Sequence, residues 1–292
     1  MSEFISFTLG GISFGMVYAA VGLSLVLIWR ATRILNFAQG GMAMLTTFIA
    51  LGVIHATGSY WAGFICALAA GLVLGAVVER VVMRPVENKP PFNAIIVTIG
   101  LLVALEGLAG IIYGGQYRSF PAALSINGLK VGTTHIALSH FDLFVIGSVL
   151  VVALLLAVVF RYTPAGLRMR AAAFQPDIAR LLGVRVGRAL TLGWALAGLT
   201  GALAGVLVSP VTFLYPNSID SIFVLRFAAA VLGGLDSPVG TVLGGLVLGI
   251  VLNYVGGYLG SDLVTIFALL LLVAVLMIRP AGVFSAARTR QV

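Results

Sequence analysis

Thr163-Pro164-Ala165-Gly166-Leu167-Arg168-Met169-Arg170-Ala171 opens the stretch that decides the fold. It runs on through Gln175-Pro176-Asp177 to Leu182-Gly183-Val184 and ends at Arg185 and Arg188. An apolar segment stops just before it, at Phe160, and another starts just after it, at Ala189. Thr163 before Pro164 reads as a helix start: a hydroxyl to cap the first amides, then a residue whose missing N–H costs nothing in the first turn. Pro176 ends that helix and can begin a second, which Gly183 stops. The stretch therefore predicts two short helices lying on a membrane surface and presented to something soluble.

Composition places the rest of the chain in lipid. Of 292 residues 61% are hydrophobic and 9% charged, with a mean hydropathy of +1.15. A soluble domain carries about 25% charged residues. The net charge of +8 then concerns orientation and lipid headgroups, and no basic patch interleaved with exposed aromatics points to nucleic acid. The one cysteine, Cys66, lies in an apolar run, so an intrachain disulfide is excluded and a buried small hydrophobe is expected. Met1-Ser2-Glu3-Phe4 lacks a basic n-region, and the first apolar run is expected to stay in the bilayer.

About 20 apolar residues cross the hydrocarbon core. The spans expected are 6–29, 35–55, 61–83, 93–113, 142–161, 189–209, 240–258 and 261–278, with a shorter ninth segment at 219–235 that spans or re-enters. The fold class is thus all-α, a single polytopic membrane domain over 1–292 with eight or nine transmembrane helices, some short or broken. With the N-terminus outside, the inner breaks hold Arg30, Arg33, Arg80, Arg84, Lys89, Arg161, Arg168, Arg170, Arg180, Arg185, Arg188, Arg279, Arg288 and Arg290. The outer ones hold Arg118 and Lys130. Positive charge collects on the cytoplasmic side, which places the C-terminus and the loop 163–188 inside, and the loop Gly114–Phe141 outside with His135 and His140.

Asn36-Phe37-Ala38-Gln39-Gly40-Gly41 and Gly233-Gly234-Leu235-Asp236-Ser237-Pro238-Val239-Gly240 look like broken helices. Non-helical backbone at depth survives only against protein or a water-filled cavity, and paired breaks in two halves mark a solute route. Segments one to four match six to nine with opposite starting sides, which predicts an inverted repeat. Gly15–Leu23 set against Gly193–Gly201 is its sequence support. Gly193, Gly198, Gly201, Gly205, Gly240, Gly244, Gly245 and Gly249 are spaced for close helix approach, chiefly within the chain.

Glu106 and Arg226 lie inside spans, where a charge is costly and should face protein or water. They are candidates for the lining of the path, with Asn36, Gln39, Gly40, Gly41, Gly233, Gly234 and Asn253. Glu79 beside Arg80 and Asp142 at a segment start read as interfacial, and Asp236 as the cap of the helix from Gly240. No Gly-x-x-x-x-Gly-Lys-Ser/Thr, nucleophile elbow or His-Glu-x-x-His is present, and His55, His135 and His140 form no metal-ligand pattern. No catalytic residue, metal or cofactor is expected.

Together these residues resemble the branched-chain amino acid ABC permeases of the LivH type. Leu35-Asn36-Phe37-Ala38-Gln39-Gly40 is similar to their INFAHG stretch. Gly166-x-x-x-Arg170-Ala171 with Asp177-x-Ala179 and Leu182-Gly183-Val184 is similar to their G-x-x-x-R-A … A-x-x-x-G-I loop. Ala229–Gly240 resembles AAVLGGLGSIPGAVLGG, although Gln39 replaces histidine, Asp236 replaces glycine, and the isoleucine before Pro238 is missing. The resemblance implies an inner-membrane importer subunit for branched-chain or other neutral amino acids, with urea or short amides as the alternative. It implies a second, LivM-like permease chain, two cytoplasmic LivG/LivF-like ATPase subunits and an extracytoplasmic solute-binding protein. Gly166, Arg168, Arg170, Ala171, Asp177, Ala179, Arg180, Leu182 and Gly183 then become the ATPase-coupling residues. An ion-coupled secondary transporter or channel would share the breaks but would not need the two-helix loop.

Overall fold

The computed structural model describes residues 2–87, 89–131, 134–218, 220–279 and 282–284. Helix α1 (Ser2–Thr32) is apolar on every side, and such a helix belongs in a core. After it come α2 (Gln39–Thr57), α3 (Tyr60–Val77) and α4 (Pro91–Tyr113), with a π-helical turn at Val78–Met83 and a 3₁₀ turn at Arg84–Val86 between the last two. Then come α5 (His140–Tyr162), α6 (Pro164–Phe174), α7 (Pro176–Leu181), α8 (Val186–Val208), α9 (Asp220–Gly233), α10 (Pro238–Tyr258) and α11 (Leu263–Ile278). Among the described residues seven helices are long and apolar enough to cross a membrane, and α1 and α8 are the most enclosed of them. Two expected segments are shorter: α9 has 14 residues and α11 has 16. The last span was read from 261, but Gly260 (φ +117°) and the turn at Ser261-Asp262 delay its helix to Leu263.

The packing repeats under the exchange of α1 with α8, α2 with α9, α3 with α10 and α4 with α11. Helix α1 lies on α10 as α8 lies on α3; α2 meets α3 and α8 as α9 meets α10 and α1; and α2 meets α4 as α9 meets α11. Helix α5 has no counterpart and packs on α1. Glycine sets both main crossings. A Cβ at Gly249 would lie 2.3 Å from the Gly15 Cα, and one at Gly75 would lie 2.1 Å from the Trp194 carbonyl oxygen. At such separations backbone meets backbone, where dispersion and Cα–H contacts hold helices that the hydrophobic effect does not drive together in lipid. The glycine faces of α8 and α10 are filled by the chain's own helices: Gly193 by Ala31, Gly205 by Ala43, Gly244 by Ala229 and Gly233.

The exchange also corrects the pairing of the two breaks. The one at Asn36–Gly41 joins α1 to α2, whereas the one at Gly233–Gly240 joins α9 to α10, and these are not equivalent positions. The equivalent of the second is the α2–α3 turn. There Gly58 (φ +70°) ends α2 and the Ser59 hydroxyl caps α3, just as Gly234 (φ +92°) follows α9 and the Ser237 hydroxyl caps α10. A second difference is a hairpin inside the loop Gly114–Phe141, β1 (Gly128–Val131) antiparallel to β2 (Thr134–Ser139). Its strand β2 leads straight into α5, whose start is a capping box of Ser139 and Asp142.

Candidate functional site

The two predicted short helices form as the sequence dictates. The Thr163 hydroxyl accepts from the Gly166 amide at 3.2 Å and opens α6; Pro176 opens α7; Gly183 (φ +80°) follows its end. One face of the pair is anchored. Gly166 lies so close to α5 that a Cβ there would be 2.2 Å from the Val159 carbonyl oxygen. Met169, Ala172 and Ala179 are buried in the same core as Phe160, Val186 and Trp194.

The other face is open. Leu167, Phe174, Leu181 and Leu182 are 61%, 67%, 87% and 79% exposed. Arg168, Arg170 and Asp177 stand exposed among them, and Ala171 is half-buried behind them. Arg180 is committed within the chain, to Asp177 at 2.9 Å and to Glu87 at 3.0 Å. Arg168 and Arg170 have no ion pair among the described residues. An apolar surface carrying unpaired guanidinium groups, held rigidly against the ends of two spans, has the chemistry of a protein-docking face.

Beside this face the α3–α8 crossing ends in a charged clasp. Glu79 is 2% exposed and takes Arg84 in a two-oxygen grip at 3.1 and 3.2 Å. The Thr191 hydroxyl donates to Glu79 at 2.5 Å, and Arg84 also donates to the Gly187 carbonyl of α8 at 3.2 Å. Glu79 is therefore buried in the protein and paired with Arg84, five residues on, and not with its neighbour Arg80. Residues five apart do not face each other on an α-helix. The π-helical turn, in which the Arg84 amide donates to the Glu79 carbonyl, brings them together. The only sequence signal was an acid and a base at a spacing that an α-helical reading discards.

Elsewhere the predicted polar residues are used up in joints. Asn36 and Gln39 are each 1% exposed. Asn36 accepts from the Ala38 amide at 3.0 Å and donates to Gln39 at 3.1 Å, and Gln39 donates to the Ala197 carbonyl of α8 at 2.9 Å. Gly41 fits under Leu102 and Leu105 of α4, and Gly40 is buried with it. Asn253 donates to the Phe7 carbonyl, tying α10 to α1. Glu106 of α4 accepts from Asn217 at 3.2 Å. Arg226 falls in α9, but its side chain lies outside the described residues. Gly233 packs against Gly240. Asp236 does not cap α10: Ser237, one residue nearer, accepts from the Gly240 amide at 2.9 Å, and Asp236 instead pairs with Arg33 of the α1–α2 connection. Asp142 accepts from Ser13 of α1 besides serving its own helix start.

A family model described as the branched-chain amino acid transport system permease component matches residues 7–276. The chain is 27% identical to the high-affinity branched-chain amino acid permease protein LivH of Salmonella typhimurium, over 96% of its own length and 95% of that protein's. It is 23% identical to BraD of Pseudomonas aeruginosa, also named a high-affinity branched-chain amino acid permease, over 94% and 93% of the two chains. A partial match, 30% identical over 56% of this chain and 46% of the other, is to the xylose/arabinose import permease protein XylH of Sulfolobus acidocaldarius.

Proposed function

This chain belongs to the branched-chain amino acid transport permease family, and from that premise we propose that it imports branched-chain or other neutral amino acids across the inner membrane. As a member it is a multi-pass ABC permease subunit, a transport component and not an enzyme. In the proposed assembly it pairs with a second permease chain, receives solute from an extracytoplasmic binding protein and is driven by two cytoplasmic ATPase subunits. The N-terminus is outside and the C-terminus inside, following the distribution of arginine and lysine.

One observation carries this reading: the anchored, capped helix pair α6–α7 with its apolar, arginine-bearing open face. It is rooted through Gly166 and Met169 on α5 and α8, so a push on the open face tilts both spans. Arg170, without an ion pair among the described residues, suits a bidentate grip on an ATPase carboxylate. Arg180, held by Asp177 and Glu87, positions α7 instead. Asn36, Gln39 and Glu106 belong to the joints that carry the tilt to the solute route, with Gly233 and Gly234 at the α9–α10 bend of the other half.

Arg170→Glu is expected to leave membrane insertion intact and to abolish ATP-dependent uptake in reconstituted vesicles. Normal uptake by that variant overturns the coupling role. The partial likeness to a sugar permease makes a pentose the second reading of the solute. Stimulation of ATP hydrolysis by the binding protein loaded with leucine, valine, urea or xylose separates the candidates, and a response to leucine or valine alone is the expected result.

A further inference from the structure

We propose that the arginine-lined hollow between the ends of α3, α6 and α8 binds the headgroup of an anionic phospholipid. Two hollows adjoin there. One, of about 450 Å³, is lined by Arg80, Arg84, Arg188, Thr191, Leu192 and Ala195. The other, of about 530 Å³, adds Arg168, Leu182 and Arg185 and shares Arg188 and Leu192 with the first. Five guanidinium groups thus line the two neighbouring hollows, and among the described residues no carboxylate lines either one. Glu79 neutralises only Arg84, which it holds against α8. Arg80, Arg168, Arg185 and Arg188 are exposed and have no ion pair among the described residues.

A soluble anion would satisfy those charges, but the surroundings fit a lipid better. Val73 and Val77, four residues apart on α3, are 58% and 49% exposed, and Val81 in the π-helical turn that follows is 66% exposed. Arg80 of the same turn lines the basic hollow, so exposed valines run from the hollow into the span. Leu192 carries the same apolar character down α8. A phosphate held by guanidinium forks at the membrane surface, with its acyl chains laid along valine and leucine, uses both halves of this geometry. Arg80 and Arg188 stand outside the residues assigned to ATPase docking, although Arg168 and Leu182 of the second hollow belong to them, and the site does not depend on the solute.

The test is titration of the full chain, in phosphatidylcholine nanodiscs, with phosphatidylglycerol, read by native mass spectrometry of retained lipid and by melting temperature. Phosphatidylglycerol is expected to be retained and to raise the melting temperature. Arg80→Gln combined with Arg188→Gln is expected to weaken retention about 30-fold, at the usual worth of two surface cations near an anionic lipid. Should that double variant not fold, Arg80→Gln alone is expected to lose about fivefold. Retention unchanged in these variants overturns the assignment, as does equal retention of extra phosphatidylcholine. Displacement of the lipid by millimolar inorganic phosphate at matched ionic strength also overturns it, by showing a site for free anions.

Discussion

The α3–α8 and α1–α10 crossings are the same construction fastened in two different ways. Each is a glycine-on-backbone contact, Gly71 and Gly75 against Gly198 and Trp194 in one, Gly11 and Gly15 against Gly245 and Gly249 in the other. Where α3 meets the start of α8, the fastening is Glu79, Arg84 and Thr191. At the matching place, where α10 meets the start of α1, it is aromatic. Phe4 stacks on Tyr254 at 5.4 Å, Phe7 meets Tyr258 edge-on at 5.1 Å, and the Tyr254 hydroxyl shares a hydrogen bond with Thr8 at 2.6 Å. The two clasps sit at the same place in their repeats, and because the repeat is inverted they fall on opposite faces of a bilayer, which ask for different chemistry. Charge suits the face where arginine collects, and an apolar ring with a wet edge suits either interface. The repeat conserves backbone contact and leaves the ends to be decided by their surroundings.

The largest effect should come from attacking what the crossings share. Gly75→Leu and Gly249→Leu each force a side chain into backbone a little over 2 Å away, which exceeds ordinary overpacking of about 1–3 kcal/mol. Both variants should fail to give monodisperse protein in detergent, and a well-folded yield for either one would break the equivalence. The clasps should then separate. Glu79→Leu strands the Arg84 guanidinium, and since that group is over a third exposed the loss should be about 2 kcal/mol, below the value for a fully buried pair. A lowered melting temperature with a normal elution profile is the expected result. Tyr254→Phe removes one shared hydroxyl bond while keeping the rings, about 0.5–1.5 kcal/mol. A larger shift for Tyr254→Phe than for Glu79→Leu would invert the ranking of the two clasps.

Local chemistry is what the sequence made readable. The caps at Thr163 and Gly183 and the proline at each short-helix start depend on neighbours a few residues away, and the two short helices form where these signals stand. Partners across the fold were not readable. Asp236 looks like a cap because carboxylates favour helix starts. Ser237 is one residue closer to Gly240, and Arg33 comes within reach only because the α1–α2 and α9–α10 connections share one face. Gln39 looks like a path residue because amides bind polar solutes, yet Ala197 of α8 is the acceptor beside it. Glycine-rich spans such as Gly15–Leu23 and Gly193–Gly201 align with almost anything, whereas the repeat's clearest trace is the glycine and serine pair that turns α2 into α3 and α9 into α10.

The widened turn at Val78–Met83 makes chain length itself a control over how Glu79 and Arg84 meet. Dropping one residue between them would let the ordinary ladder resume with the pair four apart, a spacing at which an acid and a base still share a helix face. The grip would then outlast the wide turn. A single-codon deletion is thus an instrument that substitution lacks: it removes the extra width and leaves the charges together.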